Sequence, residues 1–285
     1  MTTSKDSLDD SWKAWLQENI KRGCDPEELF CILVQNHFSL TAVREAMGDD
    51  DPTRVPVKGG QAARVDHKSI AETRITDARK IPQARPFPSD QIQLYTVDDF
   101  LSSRECDTLS DVISGSLRPS TITTAQTDPD KYFRTSATCD LGTVEDASVS
   151  ELDQKISRTV GIRLAYSEAL QGHVYAVGEE FKAHTDYFEP GGAVHALHCA
   201  QRGNRTWTFM LYLNDVAKGG GTHFIRLGYT FQPKKGQALA WNNLDANGVP
   251  NYNTLHAGLP VEAGYKIIVT KWFRERGSGH MFYSD

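Results

Sequence analysis

From Gly172 to Phe273 the sequence is a succession of short apolar runs, each stopped by Gly, Asn or Pro. The runs at 174–177, 206–213, 222–227, 238–241 and 265–273 are too short for buried helices and rich in β-branched and aromatic residues. Many short strands divided by turn signals mean a sandwich or a barrel. Ahead of them, a strand at 92–97 leads into a helix carrying Leu109, Val112 and Ile113. A second helix is predicted over 148–169, with Leu152, Ile156, Val160 and Leu164 at near-helical spacing. Helices first and strands later give an α+β class: a double-stranded β-helix, or jelly roll, braced by helices.

Residues 1–48 read as a small helical module. Trp12, Trp15, Leu16 and Ile20 share one helix face, which ends near Gly23. Asp25-Pro26-Glu27-Glu28 is a helix start, with Asp as cap and Pro in the first turn, and Leu29, Ile32 and Leu33 supply the apolar face. A third short helix from Ser39 carries Val43, Ala46 and Met47 and stops at Gly48. The module is expected either to dock on a partner or to cap the main domain. Residues 49–89, opened by Asp49-Asp50-Asp51-Pro52 and closed by Pro82, Pro86 and Pro88, read as a linker with one helical turn around 70–78. The main domain is expected over 90–285.

A net charge of -6 offers no bulk attraction to nucleic acid or to an anionic membrane, so neither is expected as a partner. The five cysteines are scattered and form no CxxC pair, which suits a reducing compartment. With no apolar leader and no run long enough to span a bilayer, the expected location is cytoplasmic.

The chemistry centres on Phe181-Lys182-Ala183-His184-Thr185-Asp186-Tyr187. Read as a strand, this segment projects His184 and Asp186 from one face. A third ligand is available downstream in His256. Two histidines and one carboxylate on one face of an octahedron are the donor set of a non-haem Fe(II) centre, with the opposite positions open. Lys266 points along an apolar row with Ile268, Thr270 and Trp272, where an ammonium group is costly unless an anion meets it. The distal carboxylate of 2-oxoglutarate would be such an anion; a snorkelling or salt-bridged structural lysine is the alternative.

With these come Asp99-Phe100-Leu101-Ser102, Arg134-Thr135-Ser136, Tyr175, Arg205, Tyr212-Leu213-Asn214-Asp215-Val216, Gly219-Gly220, Pro233-Lys234-Lys235-Gly236 and Lys271-Trp272-Phe273-Arg274. In this order, across about 92–276, the chain resembles the prolyl 4-hydroxylase-like Fe(II)/2-oxoglutarate dioxygenases. The resemblance implies that His184, Asp186 and His256 hold Fe(II), and that Tyr175, Thr222 and Lys266 grip 2-oxoglutarate. It places Arg205 and Trp272 at the substrate end. Gly221 departs from the family, which often has Glu there. The implied reaction is hydroxylation of a C–H bond, first of all in a peptidyl proline, with O2 as co-substrate, succinate and CO2 as co-products, and ascorbate as reductant. The substrate is thus a peptide or protein. The alternatives are a free amino acid or another small metabolite, or a sensor that binds metal and 2-oxoglutarate without turnover.

Other residues are read more plainly. His195, His198 and Cys199 lie in a Gly-flanked loop, 187–204, expected to move and not to hold a second metal. His173 and His223 are read as structural or exposed, Arg274 and Arg276 as the solvated end of the last strand. Arg134 is read either as lining the substrate channel or as structurally paired.

Overall fold

The computed structural model describes residues 7–21, 33, 38–48, 65, 67–72, 84–119, 136–190 and 193–283. It divides into two compact units: Met1–Arg64 with Glu189–Gly203, and Val65–Phe188 with Asn204–Asp285.

The larger unit is built on an eight-stranded sheet. Its strands are β1 (Ala84–Pro86), β2 (Leu94–Val97), β3 (Arg118–Pro119), β4 (Ala137–Asp140), β5 (Gln171–Tyr175), β7 (Arg205–Tyr212), β11 (Ala238–Asn242) and β14 (Lys266–Arg274), in the order β1-β2-β11-β7-β14-β5-β4-β3. A second sheet runs β10-β9-β12-β6, from Tyr229–Phe231, Thr222–Phe224, His256–Gly258 and Phe181–His184. A short pair joins β8 (Lys218–Gly219) with β13 (Val261–Ala263), and among the described residues these strands pair with one another antiparallel throughout.

Period-two alternation divides the core. Trp207, Phe209, Leu211, Ile267, Val269 and Phe273 face the helices, packing with Leu109, Ile113, Leu152 and Ile156. Met210, Tyr212 and Ile268, one residue out of step, join Phe224, Phe231 and Trp241 between the sheets. β7 and β14 are therefore buried on both faces, and the second apolar layer makes the space in which a site can be dry. Lys271, on the helix side of β14, is met by Asp153 of helix Ala147–Val160.

Helix Ser103–Ser114 begins on a capping box: Ser102 Oγ accepts from the Glu105 amide, and Glu105 reaches back to the Ser102 N–H at 2.7 Å. Helix Ala147–Val160 is capped by Asp146 and ends at Gly161, whose φ of 84° breaks the helical path. The helix predicted over 148–169 thus stops early, and Leu164 falls in a separate 3-10 turn. The run at 222–227 likewise shortens to β9, followed by a 3-10 turn. Within the stretch read as a linker, helix His67–Glu72 buries Ile70 and Ala71, and β1 pairs with β2. Val65–Phe188, which includes the end of that stretch, belongs to the larger unit.

In the smaller unit, helix Asp10–Lys21 is capped by Asp9, whose carboxylate accepts from the Ser11 and Trp12 amides. Leu8 and Leu16 pack with Leu33, Phe38, Ala42 and Val43, the last two from helix Leu40–Met47. Leu197, from helix Ala193–Cys199, belongs to the same cluster. The segment read as a mobile Gly-rich loop therefore contains a helix with its own apolar anchor. The predicted helix start at Asp25 and the apolar residues Leu29 and Ile32 lie outside the described residues.

Candidate functional site

Antiparallel pairing of β6 with β12 sets His184 directly opposite His256. Cross-strand partners on one face are close neighbours, so two imidazoles meet without any special loop. Asp186 arrives differently. β6 ends at His184, and Asp186 lies in the bend beyond it, so a turn and not strand alternation returns the carboxylate to the histidines. His184 Nε2 lies 3.8 Å from Asp186 Oδ1, and one ligand atom from each of the three residues falls within 4.8 Å of the others.

Hydrogen bonds fix which ring nitrogens face inward. His184 Nδ1 is 2.7 Å from the Lys182 carbonyl, and His256 Nδ1 is 2.8 Å from the Thr254 carbonyl. A carbonyl only accepts, so each Nδ1 holds a proton, and in the neutral ring each Nε2 then presents the lone pair a metal requires. Phe181 stacks on His184 at 3.6 Å, and the Trp241 ring meets His256 edge-on at 5.0 Å. Burial pushes the Asp186 carboxyl up, but His256, His184 and Arg205 outweigh it with a hydrogen bond from Thr208, and the group is held below the usual range.

The triad opens into a cavity that Tyr175, Thr222 and Lys266 also line. Lys266, paired across the sheet with Tyr175, is almost wholly buried. Its Nζ donates to the Gly220 carbonyl at 3.0 Å and lies 4.4 Å from the Tyr175 ring centroid. Ile268, Thr270 and Trp272 follow it along the cavity wall, as period two requires. Thr222 accepts from the Tyr212 hydroxyl at 2.7 Å. Gly258 completes the cradle: a Cβ there would sit 3.4 Å from Lys266 Nζ, in the space an anion bound to the lysine would use. The donor set and the cradle together fit a divalent iron with a dicarboxylate beside it.

The far end of the wall is a charged cluster. Arg205 grips Glu168 through two bonds of 2.7 Å, and Arg274 donates to the same carboxylate at 2.9 Å. The Arg205 guanidinium stacks 3.9 Å from the Trp272 ring and reaches the Asp186 carbonyl at 3.4 Å. Burial would raise the Glu168 carboxyl, but Arg205 and Arg274 override it and hold it at about 2. Arg274 is therefore not a solvated strand end but buried under this cluster. Arg276 is half-buried, and Arg134 lies outside the described residues. His173 is buried on the cavity wall with Nδ1 3.2 Å from Thr138 Oγ1, while half-buried His223 meets Thr230. Glu168, Thr208 and Asn243 escaped the sequence reading, since none belongs to a motif.

Residues 170–274 match the 2OG-Fe(II) oxygenase superfamily. Over 190 residues, or 66% of this chain, it is 34% identical to the mouse prolyl 4-hydroxylase subunit alpha-1. Residues 170–274 thus carry a 2OG-Fe(II) oxygenase-like domain, similar to that of the prolyl 4-hydroxylase alpha subunits. The mouse alpha-3 subunit is 32% identical over 188 residues. The chain spans 35% of the length of the alpha-1 subunit and 34% of the alpha-3 subunit. Among solved structures, the 2-oxoglutarate complex of a viral collagen prolyl hydroxylase from Paramecium bursaria Chlorella virus-1 aligns with a TM-score of 0.51. That alignment is 26% identical and covers 64% of this chain and 95% of the other. The two-sheet core of the oxygenase domain is thus the jelly roll expected from the strand pattern.

Proposed function

We propose that this chain is an Fe(II)- and 2-oxoglutarate-dependent dioxygenase that hydroxylates a peptidyl proline and releases succinate and CO2. The observation that supports it best is the joint placement of three converging metal donors and a buried lysine in one cavity. His184, Asp186 and His256 would hold the iron. Iron there would supply, together with 2-oxoglutarate and O2, the oxidising power for C–H hydroxylation. Lys266, backed by the Tyr175 ring, would take the distal carboxylate, and Gly258 leaves room for it. Thr222, its hydroxyl lone pair already engaged by Tyr212, would turn its proton toward the same group. Met210, Ile268 and Trp241 exclude water from the walls.

At the other end, the Trp272 indole N–H is buried and has no hydrogen-bond partner among the described residues. Such a donor favours a substrate carbonyl, which a peptide offers at every residue. Arg205, held flat against Trp272, would fix the ring and the approach of that carbonyl. Ascorbate would serve as the reductant that keeps the iron ferrous between turnovers. The test is succinate formation from 2-oxoglutarate with Fe(II), ascorbate and air, with and without proline-containing peptides. Stimulation by peptides together with a mass gain of one oxygen supports the proposal. Stimulation only by free amino acids would overturn the peptide assignment, and bound but unconsumed 2-oxoglutarate would overturn the enzyme assignment.

A further inference from the structure

Behind the triad lies a row of polar side chains that the reaction itself does not require. Asp186 Oδ2, the oxygen turned away from His184, accepts from Thr208 Oγ1 at 2.7 Å. Thr208 Oγ1 receives Asn243 Nδ2 at 3.0 Å, and Asn243 Oδ1 receives Trp241 Nε1 at 3.1 Å. All are buried, Thr208 and Asn243 completely. We propose that Trp241, Asn243 and Thr208 form a one-directional hydrogen-bond relay that reserves Asp186 Oδ2 and so presents Asp186 to the metal through Oδ1 alone.

The direction follows from donor chemistry. An indole N–H can donate but never accept, so Trp241 forces the Asn243 carbonyl oxygen toward itself. The amide nitrogen must then face Thr208 and donate to it. The threonine hydroxyl has one proton, and with its lone pair engaged by Asn243 that proton points to Asp186. Each bond polarises the next, and the sequence ends on a carboxylate, where a charge-assisted bond is strongest. Trp241 also lays its ring edge against His256, so one side chain steadies two of the three ligands.

The relay has a consequence for coordination. A metal held by the triad would need its remaining positions left open for the keto acid and O2. A carboxylate binding through both oxygens would take one of them. Thr208 disfavours this by engaging a lone pair of Oδ2 and orienting the carboxylate, which makes it and Asn243 positioning residues for the metal site.

This inference rests on the proposed iron site, so the test reads metal uptake directly. Mn(II) is titrated into the metal-free full-length chain, and free Mn(II) is followed by electron paramagnetic resonance. Thr208→Val keeps the shape and removes the proton; a loss of affinity of about ten- to hundredfold is expected. Thr208→Ser should restore near wild-type binding. Trp241→Phe keeps the ring against His256 but frees the Asn243 amide to turn over, and should give a smaller loss. It also tests the relay independently if the valine variant does not fold. Wild-type or tighter Mn(II) binding by both Thr208→Val and Trp241→Phe overturns the relay while leaving the metal site standing. Failure of the wild-type chain to take up Mn(II) overturns the metal reading itself.

Discussion

Glu168 gives the sharpest single perturbation, because one carboxylate answers two arginines. Glu168→Gln keeps the volume and two hydrogen-bonding atoms but removes the charge that Arg205 and Arg274 share. The carboxyl sits at about 2 against an ordinary 4.5. Each pKa unit is worth about 1.4 kcal/mol, so the full difference corresponds to about 3 kcal/mol at neutral pH. About a fifth of the side chain, 21%, still reaches solvent, and screening trims this toward 2 kcal/mol. The sign is fixed by the direction of the depression. The stability is present in full above the unfolded value near 4.5, and is lost as pH falls through the folded value near 2. Urea unfolding of both proteins, followed by tryptophan fluorescence at several pH values, measures the difference. We expect it to be constant from pH 7 to about pH 5 and to shrink steadily below that. A difference that is independent of pH would refute the ion-pair reasoning and leave only a packing defect.

Further expectations concern the cavity. Lys266→Ala should weaken 2-oxoglutarate binding by roughly thirtyfold or more, the cost of truncating a buried charged partner, as isothermal titration would show. Unchanged affinity would remove the lysine from the cofactor pose. His256→Ala should abolish Mn(II) uptake and succinate formation together, and retention of either would sink the ligand assignment. Gly219→Ala should destabilise the fold by about 2 kcal/mol or more in urea unfolding, because φ is 75° and the new Cβ would lie 2.3 Å from the Pro260 carbonyl. A neutral result would mean that the β8–β13 connection yields easily.

The cavity wall formed by Lys266, Ile268, Thr270 and Trp272 was legible because a strand buried on both faces still obeys period two. The pairing of the candidate ligands His184 and His256 in one site was legible from motif and spacing. Asp186 was legible as a residue, but the turn that brings it home was not, since a bend leaves no periodicity. Helix Ala193–Cys199 was hidden for another reason. Gly191-Gly192 before it signals a loop, and a seven-residue helix draws its stability from tertiary burial of Leu197. Arg274 was misread because a charged residue at a strand end is usually solvated. Only the fold shows that Glu168, far back in the chain, is waiting for it.

The membership of Glu189–Gly203 in the smaller unit bears on how the chain is made. Ribosomes deliver residues in order, and N-terminal segments ordinarily fold as they emerge. Here the early helices lack Leu197 until synthesis has passed the 65–188 span. At roughly 5–20 residues per second the wait is on the order of ten seconds. Through that interval the apolar cluster of the first segment is incomplete, and the segment that completes it is inserted in the sequence between the Asp186 turn and β7. Maturation of the helices in the smaller unit is thereby tied to synthesis of much of the larger one, and a nascent chain stalled before Gly203 would hold an unfinished apolar face open to chaperones.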